Sequence, residues 1–215
     1  MTSQPSPNAP SSPRRRGRPR RTPEASDVRN RLVRVGLEFL TEKGYGASSV
    51  DEILKTAGVP KGNFYHYFRS KSDFGITLIE AYDAYFLRKL DATFLNTDRP
   101  AIARVSDFAE DAIAGMARHD FKRGCLVGNL GQEMGTLPEA YRAKLTATFE
   151  GWQARLETCL RQAQSQGDLD AHKDPASLAA FFWIGWEGAV LRAKLERDPA
   201  PLRLFMTTFM TLLAP

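Results

Sequence analysis

Cysteine is scarce: Cys125 and Cys159 are the two in 215 residues, and they lie far apart. That excludes a disulfide framework and a thiolate metal cluster, and it fits a reducing, cytoplasmic setting. Histidine is almost as rare. His66, His119 and His172 stand in unrelated contexts, so a Cys–His catalytic pair has no evident third member. No run approaches the ~20 apolar residues that cross a bilayer, so no membrane partner is expected. The basic N-terminus is not followed by an apolar stretch of the kind a secretory leader needs. No phosphate-binding glycine loop or metal-ligand spacing occurs, so neither a cofactor nor a metal is implied. Strand-like alternation is absent too, which leaves an all-α fold.

What is present is unevenly distributed. The formal charge of +5 sits in residues 1–23, which hold Arg14, Arg15, Arg16, Arg18, Arg20 and Arg21 and no acid. Without those six arginines, 24 basic residues face 25 acidic ones and the remainder is nearly neutral. A concentrated basic arm points to a polyanion, nucleic acid first. Arg16-Gly17-Arg18-Pro19-Arg20 resembles the AT-hook core, in which an extended chain lays its guanidiniums in the narrow minor groove of A·T-rich DNA. A solvated tail or a localisation signal is the plainer alternative.

Residues 49–68 organise the rest of the chain. Ser49 and Glu52 form a capping box, so a helix should begin at Val50, with Val50, Ile53, Leu54 and Ala57 on its apolar face. Gly58 can end it in the left-handed conformation, and Pro60 prevents simple continuation. A second short helix from about Lys61 buries Phe64, Tyr67 and Phe68 and presents Lys61, Asn63, Tyr65 and His66. Two short helices with a polar outer face are what a helix-turn-helix presents to a major groove. A first helix, beginning between Thr22 and Asp27 and ending before Gly44, covers them with Val28, Leu32, Val35 and Phe39.

Beyond, Ser72 or Ser70 caps a helix running to about Phe94, with Lys71 at its start as a natural phosphate seat. Pro100 opens a segment with Ile102, Val105, Phe108, Ala112 and Met116 at helical spacing. Residues 121–135, with four glycines, break the pattern. Pro138 opens a helix to about Gln166, stopped by Gly167, and the Asp-Pro pairs at 174–175 and 198–199 cap the last two. This divides the chain into a disordered arm (1–23), a three-helix unit (24–71) and a larger helical unit (72–215).

The motif Val59-Pro60-Lys61-Gly62-Asn63-Phe64-Tyr65-His66-Tyr67-Phe68, with Ser48-Ser49-Val50-Asp51-Glu52-Ile53 before it and Lys71 after it, resembles the DNA-binding domain of TetR-family repressors over about residues 27–75. The resemblance implies base-edge contacts from Lys61 and Asn63, and phosphate contacts from Tyr65, His66, Lys71 and Ser49, on a near-palindromic operator. It implies a C-terminal domain that binds a small effector and forms a homodimer through its last two helices. Arg123-Gly124-Cys125-Leu126-Val127-Gly128-Asn129-Leu130 and Trp183-Ile184-Gly185-Trp186-Glu187-Gly188-Ala189 resemble a subgroup with electrophile-sensing and acrylate-responsive members. A repressor released by acrylate or a related unsaturated acid or electrophile is therefore expected, rather than an enzyme.

For the effector, Trp183, Trp186 and Glu187 at one-turn spacing are candidate pocket residues, with Trp152, Asn129 and Cys125. Each has a plainer reading. The aromatics can be core, Glu187 can pair with Arg192 or a neighbouring chain, and Cys125 can be a small buried residue. Lys122 and Arg123 beside Cys125 favour a thiolate, which leaves a cysteine-based redox or electrophile sensor as the alternative function. A purely architectural DNA binder would not need the large C-terminal unit.

Overall fold

The computed structural model describes residues 23–214, all of whose regular elements are helical. The arginines at 16, 18 and 20 lie outside the described residues. In chain order the helices are α1 (Pro23–Lys43), α2 (Val50–Ala57), α3 (Phe64–Tyr67, entered through a 3₁₀ turn at Lys61–Asn63), α4 (Lys71–Phe94), α5 (Ala101–Ala117), α6 (Leu126–Gln132), α7 (Ala140–Gln166), α8 (Pro175–Glu196) and α9 (Ala200–Leu213).

The N-terminal unit folds as its local signals dictate. Ser49 Oγ accepts from Glu52 N at 3.1 Å while Glu52 reaches back to Ser49 N, completing the capping box. Gly58 adopts φ 63°, and its N–H and that of Val59 return to the carbonyls of the last turn of α2. The second helix of the pair is shorter than the apolar pattern suggests. Lys61–Asn63 form a 3₁₀ turn before Phe64, with Asn63 N donating to Pro60 O at 2.9 Å. Leu32, Ile53, Leu54, Phe64, Phe68 and Phe74 close the core between α1, α2, α3 and α4.

Ser70, not Ser72, caps α4, its hydroxyl accepting from Asp73 N at 3.0 Å. This 24-residue helix runs out of the N-terminal unit and packs along α7. Asp174 caps α8 through the N–H groups of Ala176 and Ser177, and Gly167 ends α7 at φ 82°. The core of the larger unit is aromatic: Phe94, Phe108, Trp152, Phe182, Trp183 and Phe209 are all buried. Arg104, set among apolar positions of α5, is only 2% exposed and donates to Phe94 O, Arg99 O and Gln162 Oε1, tying off the C-terminus of α4.

One element was not expected. The glycine-rich stretch 121–135 contains α6. Gly128, the first of its two glycines, is where α8 comes close: a Cβ there would meet the Glu187 carboxylate. Gly128 therefore marks a close approach between elements, not the absence of helix.

Candidate functional site

Two regions present functional chemistry. The first is the outer face of the 61–67 segment. Lys61, Tyr65 and His66 are exposed, Tyr65 to 73%, while Phe64 and Phe68 anchor the segment beneath. Asn63 is half-buried. Lys61 Nζ lies 2.7 Å from Asp51 Oδ2; that bond and charge, taken together, hold its ammonium above the ordinary lysine range. Lys71 is turned inward: its ammonium donates to Tyr45 O at 2.9 Å and sits 4.3 Å over the Tyr45 ring. Partial burial lowers its pKa.

The second region is a cavity of about 410 Å³ where α1 meets the larger unit. Its floor is apolar, with Leu37, Phe86, Phe108, Met116, Trp186 and Val190. Its charged lining is mostly basic, with Arg34, Lys89, Arg118 and Arg123 against Glu38, and His119 beside them. Volume and character suit a small amphipathic anion, the apolar walls holding its body and a few polar groups setting its orientation. Cys125, Tyr82 and Glu187 form a polar cluster in the wall. Burial pushes the Cys125 thiol well above its usual range, and Glu187 adds to the effect. Burial likewise lifts Glu187 to about 7.

The cationic neighbours of Cys125 do not make it a thiolate, contrary to expectation. Lys122 turns to Asp120 at 3.2 Å, and Arg123 faces Glu38 at 3.5 Å and Glu42 at 3.9 Å. With both cations committed elsewhere, desolvation dominates and the thiol keeps its proton. The backbone leading to this wall is strained, since Asp120 (φ 50°) and the buried Phe121 (φ 54°) both take the left-handed conformation.

The cavity wall also holds the DNA-facing unit. At the end of α1, Leu40 O accepts the Gly44 N–H at 3.2 Å, while the carbonyls beyond it are left without an i+4 helical donor. Residues of the larger unit supply the donors: Gly124 N to Thr41 O at 3.0 Å, Asn129 Nδ2 to Leu40 O and Thr41 O at 3.0 Å each, and Lys194 Nζ to Thr41 O at 3.1 Å. At the end of α6, Glu133 accepts from Tyr45 N at 2.8 Å and Gly46 N at 2.6 Å, clasping the loop into α2. Arg123, Gly124 and Cys125 thus line the cavity, and of the three Gly124 also caps α1 while Arg123 pairs with Glu38 and Glu42 of the same helix.

Comparison with known proteins covers both parts of the chain. The family model for bacterial regulatory proteins of the tetR family matches residues 32–74, and the model for tetracyclin repressor-like C-terminal domains matches residues 101–209. The chain is 59% identical to the transcriptional regulator AcuR of Cereibacter sphaeroides over 94% of its own length and 92% of that protein's. It is 33% identical to the HTH-type transcriptional repressor DhaR of a Mycobacterium species, covering 87% and 93%. Among solved structures, a regulatory protein TetR from Rhodobacter sphaeroides superposes with TM-score 0.86 at 57% identity, covering 87% of this chain and 99% of that one. The reduced form of Escherichia coli NemR superposes with TM-score 0.81 at 29% identity, covering 87% and 97%. The chain belongs to the TetR family of transcriptional regulators.

Of the residues anticipated for a TetR-family effector site, the fold brings Cys125, Trp186 and Glu187 to the cavity wall. Three others lie elsewhere. Trp152 is fully buried and donates to Asp83 Oδ1 at 3.1 Å, and Trp183 is buried beside it in the aromatic core. Asn129 spends its amide on the carbonyls of α1. Arg192, the alternative partner for Glu187, bonds Glu196 instead. Tyr82, Phe86 and Lys89 were not anticipated. They share one face of α4 by i, i+4, i+7 spacing, but that spacing alone cannot say whether a face meets core or cavity.

Proposed function

We propose that this TetR-family chain is a homodimeric repressor that reads a near-palindromic operator and leaves it when a small unsaturated acid or related electrophile fills the cavity. Base readout falls to Lys61 and Asn63, with Tyr65, His66 and Ser49 on the phosphates and the arginine arm in the minor groove. Lys71 joins the phosphate contacts only by leaving Tyr45 O. In this reading residues 1–23 are the arm, 24–71 the DNA-reading domain and 72–215 the effector and dimer domain. The protein acts in the cytoplasm as a regulator and not as a catalyst. No helix of the described residues is long and apolar enough to cross a membrane.

The observation that carries the proposal is the double role of Gly124, which lines the cavity and donates its N–H to Thr41 O of α1. An effector that displaces this wall alters the donors at the C-terminus of α1 and so the placement of α2 and α3. Release then requires only that the effector prefer the displaced wall, since equal affinity for both states shifts nothing. The dimer reading is supported by Phe181, Ile184, Leu191 and Leu195 on α8 with Leu204 and Leu212 on α9, all exposed on the single chain, Ile184 to 73% and Leu195 to 76%.

Footprinting the DNA upstream of the chain's own gene, with and without acrylate, tests this reading. A two-fold-symmetric protected site that acrylate abolishes is the expected result. Protection without symmetry, or protection unmoved by acrylate and other small unsaturated acids, would contradict it.

A further inference from the structure

Glu187 is an acid placed where an anion is expected. It lines the cavity proposed for an unsaturated acid, and two carboxylates enclosed together repel unless one gains a proton or a cation stands between them. We propose that Glu187 is the specificity-determining residue of the cavity: it meets the effector as a neutral carboxyl and donates a hydrogen bond to the effector's carboxylate, so that each anion enters with one proton. This rests on the proposed effector class and names the group that recognises it.

The surroundings of Glu187 supply donors and no counter-ion. It projects from α8, half-buried, and its carboxyl packs on Gly128 of α6, where a Cβ would meet it. Cys125, at the start of α6, and Tyr82, from α4, complete the cluster. Burial holds both of their protons in place, raising thiol and phenol well above their usual ranges. The cations around the cavity are turned to other partners. Arg123 faces Glu38 and Glu42 of α1, Lys89 of α4 bonds Asp111 of α5 at 2.5 Å, and Lys194, two turns along α8, donates to Thr41 O. Tyr85 of α4, Arg34 of α1, and Arg118 and His119 just past α5 are exposed, and among the described residues no cation forms an ion pair with Glu187.

Burial, partly opposed by the Cys125 S–H, lifts the Glu187 carboxyl to about 7. An anion brought against it raises it further. Below that point Glu187 already carries its proton, and binding needs none. Above it a proton must be taken up, so affinity falls as pH rises, by up to about tenfold per unit. The effector's own carboxyl ionises near about 4 and stays an anion throughout. A carboxyl kept neutral by its site can donate a hydrogen bond. Three protonated groups in one wall match a ligand that only accepts hydrogen bonds, as a carboxylate does.

The test is calorimetric titration of the full-length protein with acrylate, in buffers of different ionisation enthalpy, which counts the protons taken up. Uptake should rise from near zero at about pH 6 to nearly one at about pH 8.5, while affinity falls on the order of tenfold per unit above the midpoint. Glu187→Gln keeps a donor and cannot titrate. It should bind acrylate across the range with no uptake and with affinity constant to about twofold. Histidine titrates in the same range, so His119→Gln is the control and should keep the wild-type uptake. No uptake at about pH 8.5 in a wild type that binds acrylate and releases operator would overturn the role of Glu187 and leave the effector reading standing. Uptake that persists in Glu187→Gln, or vanishes in His119→Gln, would do the same. Acrylate that binds at no pH would overturn the effector reading and this inference with it. Should Glu187→Gln fail to fold, wild type and His119→Gln decide: uptake in both supports Glu187, and its loss in either contradicts it.

Discussion

Lys61 illustrates how much of the DNA-facing chemistry is settled before DNA arrives. In the free protein its ammonium is paired with Asp51, and both side chains are exposed. In the proposed readout a guanine edge at a fixed operator position replaces that carboxylate, whereas non-specific DNA offers chiefly phosphate in exchange. Lys61→Ala is therefore expected to cost discrimination more than affinity, lowering the ratio of operator to random-DNA binding roughly tenfold or more. Fluorescence anisotropy on both DNAs checks it, and equal losses on the two would make Lys61 a phosphate contact only. At the same scale, Arg104 shows what a one-letter reading misses. A buried arginine breaks the apolar stripe of α5, and only the fold reveals that carbonyls at the end of α4 and Gln162 satisfy it.

At the scale of elements, the proposed function makes the α1 cap the junction between effector and DNA. Asn129 serves two carbonyls of α1 and makes no contact with the cavity lumen, so its removal separates coupling from effector binding. Asn129→Ala should leave effector affinity within about twofold. It should weaken operator binding several-fold, because a lost cap is worth about 1 kcal/mol. Calorimetry for the effector and anisotropy for the operator would show the split; parallel losses would mean that Asn129 belongs to the pocket after all.

Legibility from sequence depends on which interactions are local. Ser49 with Glu52, Gly58, Asp174-Pro175 and Gly167 announce their helix ends because the bonds involved span a few residues. The α6 helix was hidden because Gly128 answers to Glu187, far along the chain. The cavity was half legible for the same reason. Trp186 and Glu187 reach it, while Trp183, one turn earlier on α8, faces Trp152 in the core. Spacing identifies a face, and only the packing of α4, α5 and α7 says what that face meets. The protonation of Cys125 was misjudged because Lys122 and Arg123 are adjacent in sequence but face Asp120, Glu38 and Glu42.

On the scale of the whole molecule, a long helix α4 and a capped helix α1 join a small DNA-reading unit to a large aromatic one, with the cavity between them. Walls drawn from α1, α4, α5 and α8 mean that one small ligand touches elements of both units at once. On the proposed reading the TetR-family scaffold needs no distant signal, because the ligand and the operator compete for the placement of α1. Such competition is reciprocal by thermodynamic necessity. The direct measurement is acrylate affinity by calorimetry, once on the free protein and once with saturating operator. Operator should weaken acrylate binding by the same factor by which acrylate weakens operator binding, about 5- to 150-fold for a coupling of ordinary size. Identical affinities in the two titrations would contradict the account.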